Sequence, residues 1–166
     1  MEKKKFIIAV YVENKAGVLT RVSGMFTRRG FNIDALTVGE TERSEYSRIT
    51  ICMSGDQYAK EQLVNQLKKL MVVKKVEVLE DEPIQRELML IKVSNEAKNR
   101  NDIMTAVDVF RASVIDYSTE GMCIEVTGSP SKIDAYVKLM QPFGILEMCR
   151  TGVVALDRGI ETLLSK

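Results

Sequence analysis

Histidine does not occur anywhere in this 166-residue chain. Its absence removes Ser-His-Asp and Cys-His catalysis, imidazole general-base chemistry and most transition-metal sites, and leaves only lysine or carboxylate chemistry open. Cysteine is scarce: Cys52, Cys123 and Cys149 are far apart, odd in number, and each inside a strand-like run. That pattern suggests neither a disulfide framework nor a zinc cluster, and reads as small buried apolar residues in a reducing compartment. Net charge is lacking too. With 24 basic and 23 acidic side chains the formal charge is +1, so there is no electrostatic footprint for nucleic acid or a membrane surface. No apolar run approaches the ~18 residues that a membrane span needs. The opening KKKFIIAVYV puts a basic cluster before apolar residues. That run is short and β-branched, ends in Glu13 and Lys15, and lacks a small-x-small cleavage site, so we expect a first strand in a protein kept in the cytoplasm. Neither a phosphate loop, GxxxxGK(S/T), nor a strand-borne GxGxxG occurs, so nucleotide binding by those mechanisms lacks support.

What remains is periodicity in a chain of ordinary globular composition, 45% apolar and 28% charged. Phe6 to Val12 reads as a strand. After the polar Asn14-Lys15-Ala16, Gly17 opens a pattern in which Val18, Leu19, Val22, Met25 and Phe26 recur on one helical face. Arg28-Arg29 before Gly30 suits a helix C-terminus, and Phe31 to Val38 reads as a strand. Tyr46 to Ser54 alternates Ile49, Ile51 and Met53 against Arg48, Thr50 and Cys52. Ser54-Gly55-Asp56 starts a second helix with Ala59, Leu63, Leu67 and Leu70 on one face. Val73 to Leu79 is a fourth strand, Val76 and Val78 facing one way. Glu80-Asp81-Glu82-Pro83 is the best candidate boundary; its carboxylates read as a linker rather than a metal site.

The same order then repeats: a strand at Leu88 to Val93, a helix capped by Asp102 with Ile103, Val107 and Phe110 inward, and a hairpin of Ser113 to Ser118 and Met122 to Thr127. A helix opened by Ser129-Pro130, with Ile133, Val137 and Met140 inward, and a strand at Ile145 to Arg150 complete it. The expected fold class is therefore α+β, two ferredoxin-like βαββαβ domains, at residues 1–80 and 86–166 with a linker at 81–85. The tail TGVVALDRG, Thr151 to Gly159, is expected to be an extended arm on the second sheet.

One stretch carries a candidate site. Helix N-terminal N–H groups at Gly17 attract a carboxylate, glycine lets it approach the backbone, and the amide oxygens of Asn14 and Asn32 can accept from an ammonium group. A zwitterionic amino acid would satisfy both, with the two helix ends framing one pocket. A plain helix cap with two turn asparagines accounts for the same residues without a ligand, and physics alone favours it.

The block NKAGVLTRVSGMFTRRGFNIDALTVG, set in a βαββαβ unit, resembles an ACT domain, an amino-acid-sensing module. With the SRITI strand at Ser47 to Ile51, the EREL-ML-IKV start of the second half and the closing RTGVVALDRG at Arg150 to Gly159, nearly the whole chain resembles the regulatory (small) subunit of acetolactate synthase. The resemblance implies a chain without catalytic residues, metal or cofactor of its own. It implies as partner a catalytic large subunit that uses thiamine diphosphate, FAD and Mg to join two pyruvates, or pyruvate and 2-oxobutyrate, with loss of carbon dioxide. It further implies activation of that subunit, feedback inhibition by valine or another branched-chain amino acid, and a homodimer through the ACT domains with the effector at the interface. Carried over, the effector site comprises Asn14, Ala16, Gly17 and Val18 of one protomer with Asn32, Ile33 and Leu36 of the other. The rivals are weaker. An RNA-binding sheet needs exposed aromatics, where the third strand offers only Tyr46 at its end, and no segment reads as the helix-turn-helix of an amino-acid-sensing transcription factor. A free-standing ACT regulator of another enzyme stays open on the residues alone.

Overall fold

The structure, a computed structural model, describes residues 4–79 and 82–165. Glu80 and Asp81 of the acidic break lie outside the described residues. Two compact units emerge: the chain up to Ile84 together with the chain from Val153 onward, and Gln85–Gly152.

In the first unit β1 (Lys4–Glu13), α1 (Val18–Arg29), β2 (Ile33–Glu40), β3 (Tyr46–Gly55), α2 (Gln57–Lys68) and β4 (Val73–Val78) follow the expected βαββαβ order. The sheet order is β2-β3-β1-β4, with β1 antiparallel to β3 and β4, and β2 antiparallel to β3. Period-two alternation sends Ile8, Val10, Val12, Ile49, Ile51, Met53 and Val76 to one face, where Val18, Val22, Met25 and Phe26 of α1 and Leu63 and Leu67 of α2 close the core. Both helices thus lie on that face. Leu19, expected on the apolar face of α1, is 47% exposed, because the stripe that meets the sheet runs through 18, 22, 25 and 26 and position 19 falls at its margin. Helix ends follow local chemistry. Asp56 Oδ1 accepts from the Ala59 N–H at 2.8 Å, an N-cap as expected. Gly30 closes α1 in the left-handed region at φ 67°, and the Phe31 N–H returns to the Phe26 carbonyl at 3.2 Å.

The second unit repeats the topology with β5 (Ile84–Ser94), α3 (Arg100–Val109), β6 (Ser113–Tyr117), β7 (Gly121–Gly128), α4 (Pro130–Met140) and β8 (Ile145–Arg150). Its strands run in the order β6-β7-β5-β8, the same pattern position for position. Met89, Ile91, Val93, Met122, Ile124 and Val126 meet Ile103, Val107, Ile133 and Met140. Ser129 caps α4, accepting from Lys132 N–H at 3.3 Å, and Pro130 fills the first helical position. The cap of α3 is Asn99, not Asp102, which sits in the first turn where its charge complements the helix dipole.

The arm carries β9 at Val154–Leu156, which pairs with β5 in keeping with the expected arm on the second sheet, but it also covers part of the first sheet. Val153 and Ala155 are buried together with Ala9 and Leu79, backed by Ile7, Cys52 and Leu163. These are the residues of the first sheet's face away from the helices, and that face, small-residued and apolar, gains most from cover.

The ends of the second-half motif meet in an ion cluster that sequence reading missed. Arg150 donates from Nε and Nη2 to the buried Glu87 carboxylate at 2.7 and 2.9 Å, and from Nη1 to Asp134 at 2.9 Å. The Glu87 hydrogen bonds hold the guanidinium above its ordinary value. Glu87→Gln removes the charge from a bidentate, desolvated pair, and urea denaturation should show a loss of about 1–3 kcal/mol. Tyr136 makes the opposite case. Its ring packs edge-on to Phe110 at 5.1 Å, its hydroxyl has no hydrogen-bond partner among the described residues, and burial pushes the phenol up to about 12. Tyr136→Phe should leave stability unchanged or raise it by up to about 1 kcal/mol in the same assay.

A candidate effector site at the first strand–helix turn

β1 ends at Glu13 and the chain turns through Asn14, Lys15 and Ala16, with Asn14, Ala16 and Gly17 exposed. The turn is pinned from outside itself. The Asn14 N–H donates to the Glu45 carbonyl at 2.8 Å, and Asn14 Nδ2 donates to the Ser44 carbonyl at 2.8 Å. A carbonyl can only accept, so this second bond fixes the amide: nitrogen toward Ser44, oxygen on the opposite side as an acceptor. Gly17 is the N-cap of α1 at φ 82°, ψ −6°, without a side-chain cap. No atom would lie within 4 Å of a Cβ there, so the left-handed conformation favours glycine while the space above it is open. The first turn of α1 holds no acidic residue. The Val18 N–H turns back to the Lys15 carbonyl at 3.4 Å, and the rest of the first turn presents the donors that every helix start leaves over, which a carboxylate suits.

The remaining predicted residues lie elsewhere. Asn32 is exposed just before β2, while Ile33 and Leu36 pack on the first core. Register places them: Ile33 and Phe6 both pair with Met53, so Asn32 is level with the beginning of β1, whereas Asn14 lies beyond its end. Some nine strand residues separate them, ~30 Å at the usual rise. One chain therefore does not bring Asn14 and Asn32 into a single pocket, because α1 carries the chain back along the sheet before β2 begins. The structure places Asn14, Ala16, Gly17 and Val18 at one end of the sheet and Asn32, Ile33 and Leu36 toward the other. Val18 itself is only 6% exposed, so it contributes to the core while its backbone faces the turn. The Ser44 and Glu45 carbonyls that hold the turn carry no side-chain signal and were invisible to sequence reading.

Among the described residues, no group of three or more His, Cys, Asp or Glu is placed to hold a metal ion. Nor, among the described residues, is any helix long and apolar enough to cross a membrane.

Residues 8–75 match the family described as AHAS small subunit-like ACT domain, and residues 86–159 match that described as small subunit of acetolactate synthase. The chain belongs to the acetolactate synthase small-subunit family. It is thus a regulatory small subunit with an ACT domain, and its ferredoxin-like units are those of the family. It is 48% identical over 155 residues to the probable acetolactate synthase small subunit of Archaeoglobus fulgidus, covering 93% of this chain and 98% of that one. Identity to the acetolactate synthase small subunit of Mycolicibacterium smegmatis is 49% over 153 residues, covering 92% and 90%. The crystal structure of the acetolactate synthase small subunit from Thermotoga maritima superposes with a TM-score of 0.89 at 38% identity, over 95% of this chain and 99% of that chain.

Beside the turn, Glu13 is gripped by Lys74 at 2.9 Å and Lys15 at 3.1 Å. The hydrogen bonds from Lys74 first, then Lys15, hold its carboxyl below the ordinary 4.5. A depressed carboxyl contributes stability that is present above its unfolded-state value and lost as pH falls through the lower folded-state value. The Glu13 side-chain carbon, followed by NMR, should titrate below pH 4.5, and Lys74→Met should move the midpoint upward.

Proposed function

We propose that this chain activates the thiamine-diphosphate-, FAD- and Mg-dependent catalytic subunit of acetolactate synthase in the cytoplasm. It confers feedback inhibition by binding valine, or a related branched-chain amino acid, between the ACT domains of a homodimer. The observation that carries the reading is the position and direction of β2. It is an edge strand, and an unpaired edge is a template for another strand. Two copies of β2 paired about a two-fold axis run antiparallel, so the start of one lies against the end of the other. The end of β2, at Glu40, is level with Ser47, next to Tyr46, which pairs with Glu13. The Asn32 end of one protomer therefore comes to the Asn14–Gly17 end of its partner, and the two half-sites join. The carboxylate of the amino acid meets the first turn of α1, the ammonium meets amide oxygens of Asn14 and Asn32, and the side chain lies near Ile33 and Leu36.

Such a site couples ligand to quaternary arrangement. Inhibition requires that valine bind one arrangement of the protomers better than another, and a ligand that touches both protomers supplies that difference. The match of the second unit to the small-subunit family speaks for a partner subunit rather than a free-standing ACT regulator.

Gly17→Asp should abolish valine binding in calorimetric titration while circular dichroism stays native. Aspartate tolerates the left-handed region, and its charge stands where the ligand carboxylate belongs; unchanged affinity would sink the assignment. The shared site has a sharper test. Asn14→Ala and Asn32→Ala homodimers should each lose binding. Mixed dimers of the two variants should recover about half the wild-type sites, since one of the two symmetry-related sites is then built from intact residues. Mixed dimers that bind nothing would place both asparagines in the same protomer's site.

A further inference from the structure

Where the arm crosses the first sheet, one guanidinium grips it. Arg48, on β3, points to the face of the first sheet away from the helices, across from Tyr11 on β1. It donates from Nη2 to the Ala155 carbonyl at 2.7 Å. Burial draws the Arg48 guanidinium below its ordinary value, and the carboxylates of Asp157, on the arm, and Glu42, on the β2–β3 turn, oppose that. The arm thus offers the half-buried cation a main-chain acceptor and a countercharge two residues apart.

The rest of the seat is slight. Val153 and Ala155 are the arm's inward side chains at 7% and 5% exposure, while Val154, Leu156 and Ile160 are 53%, 59% and 94% exposed. Beyond Ala155 the arm is not close-packed on the sheet. A cavity of about 690 Å³ runs between them, lined by Tyr11, Thr41, Arg43, Arg48, Leu156 and Leu163 among others. Its other holds are short: the three-residue β9 pairs with β5, and Arg158 Nε donates to the Glu82 carbonyl at 3.0 Å. An arm with two small buried side chains, an open cavity beside it and one charge-assisted hydrogen bond from the sheet it covers lies toward the low-stability end of a structure.

We propose that the arm from Val153 onward is a releasable strap on the ACT sheet, latched by Arg48 through the Ala155 carbonyl, and that its opening uncovers the apolar patch of Ile7, Ala9, Cys52 and Leu79 while the sheet stays folded. The proposal needs no effector, so it stands or falls separately from the valine site.

Cys52 packs against the Ala9–Leu79–Val153–Ala155 cluster and reports on it. In the full chain carrying Cys123→Ser and Cys149→Ser, alkylation of Cys52 by N-ethylmaleimide under native conditions is followed by mass spectrometry, with amide exchange at Val10 and Ile51 as the measure of global opening. Arg48→Met keeps an apolar stem without donors, and should raise the Cys52 rate about tenfold while core exchange stays within about twofold. Ala155→Glu, which cannot sit on Ala9, should raise it at least as much. A background rate in Arg48→Met beside a raised rate in Ala155→Glu would remove Arg48 as the latch. Background rates in both would show that the arm does not cover Cys52. A Cys52 rate that rises only in step with core exchange would mean global unfolding instead of a strap, and would equally overturn the proposal.

Discussion

A four-stranded antiparallel sheet has two faces, and strand geometry forces alternate residues onto each. In the first unit that constraint governs the rest. Ile8, Val10, Val12, Ile49, Ile51 and Met53 take one face and draw both helices onto it. Ile7, Ala9, Tyr11, Arg48, Thr50 and Cys52 are left for the other. A small domain gains from covering such a face, because burial on one side alone recovers less of the conformational entropy lost on folding. The arm from Val153 supplies cover from the far end of the chain, which is why the first unit is discontinuous in sequence.

The sheet's edges pose the second problem. β2 and β4 both end the hydrogen-bonded order, yet they differ in character. β4 carries Lys74 and Lys75, engaged with Glu13 and Glu77, a charged edge of the kind that discourages further pairing. β2 presents Ala35, Thr37, Val38 and Gly39 along its length, a plainer edge suited to a second strand. The function proposed for the turn at Asn14 depends on that difference. The chain puts its two half-sites at opposite ends of the sheet, and only a partner strand laid antiparallel along β2 reunites them.

Asn14 illustrates how the parts connect. Its backbone and side chain are bound to the Glu45 and Ser44 carbonyls, so the α1 N-terminal turn and the β2–β3 turn behave as one piece. The β2–β3 turn also walls the cavity beneath the arm through Thr41, Glu42 and Arg43. The Gly17 helix start and the residues around Ser44 thus occupy one end of the sheet, and the arm reaches the same β2–β3 turn from the opposite face.

Much of this was legible in the residues. Hydrophobic periods of 2 and 3.6 located all eight strands and four helices of the repeated βαββαβ order, since local backbone geometry alone sets those periods. Gly30, Asp56 and Ser129-Pro130 marked helix ends because caps are made by side chains within a few residues. Gly17 stood out for the same reason: a left-handed residue before a helix is a local demand. Local information failed wherever partners were distant. The Asn99 cap was mistaken for Asp102 by three residues. The Glu87–Arg150 pair, the Ser44 carbonyl under Asn14 and the Arg48 grip on Ala155 join positions 63, 30 and 107 residues apart. The sequence by itself determined the elements, their order and the glycine-capped turn. Only the tertiary structure decided that the arm also covers the first sheet and that Asn14 and Asn32 are held apart, because register and face are settled by packing between segments that meet only once the chain has folded.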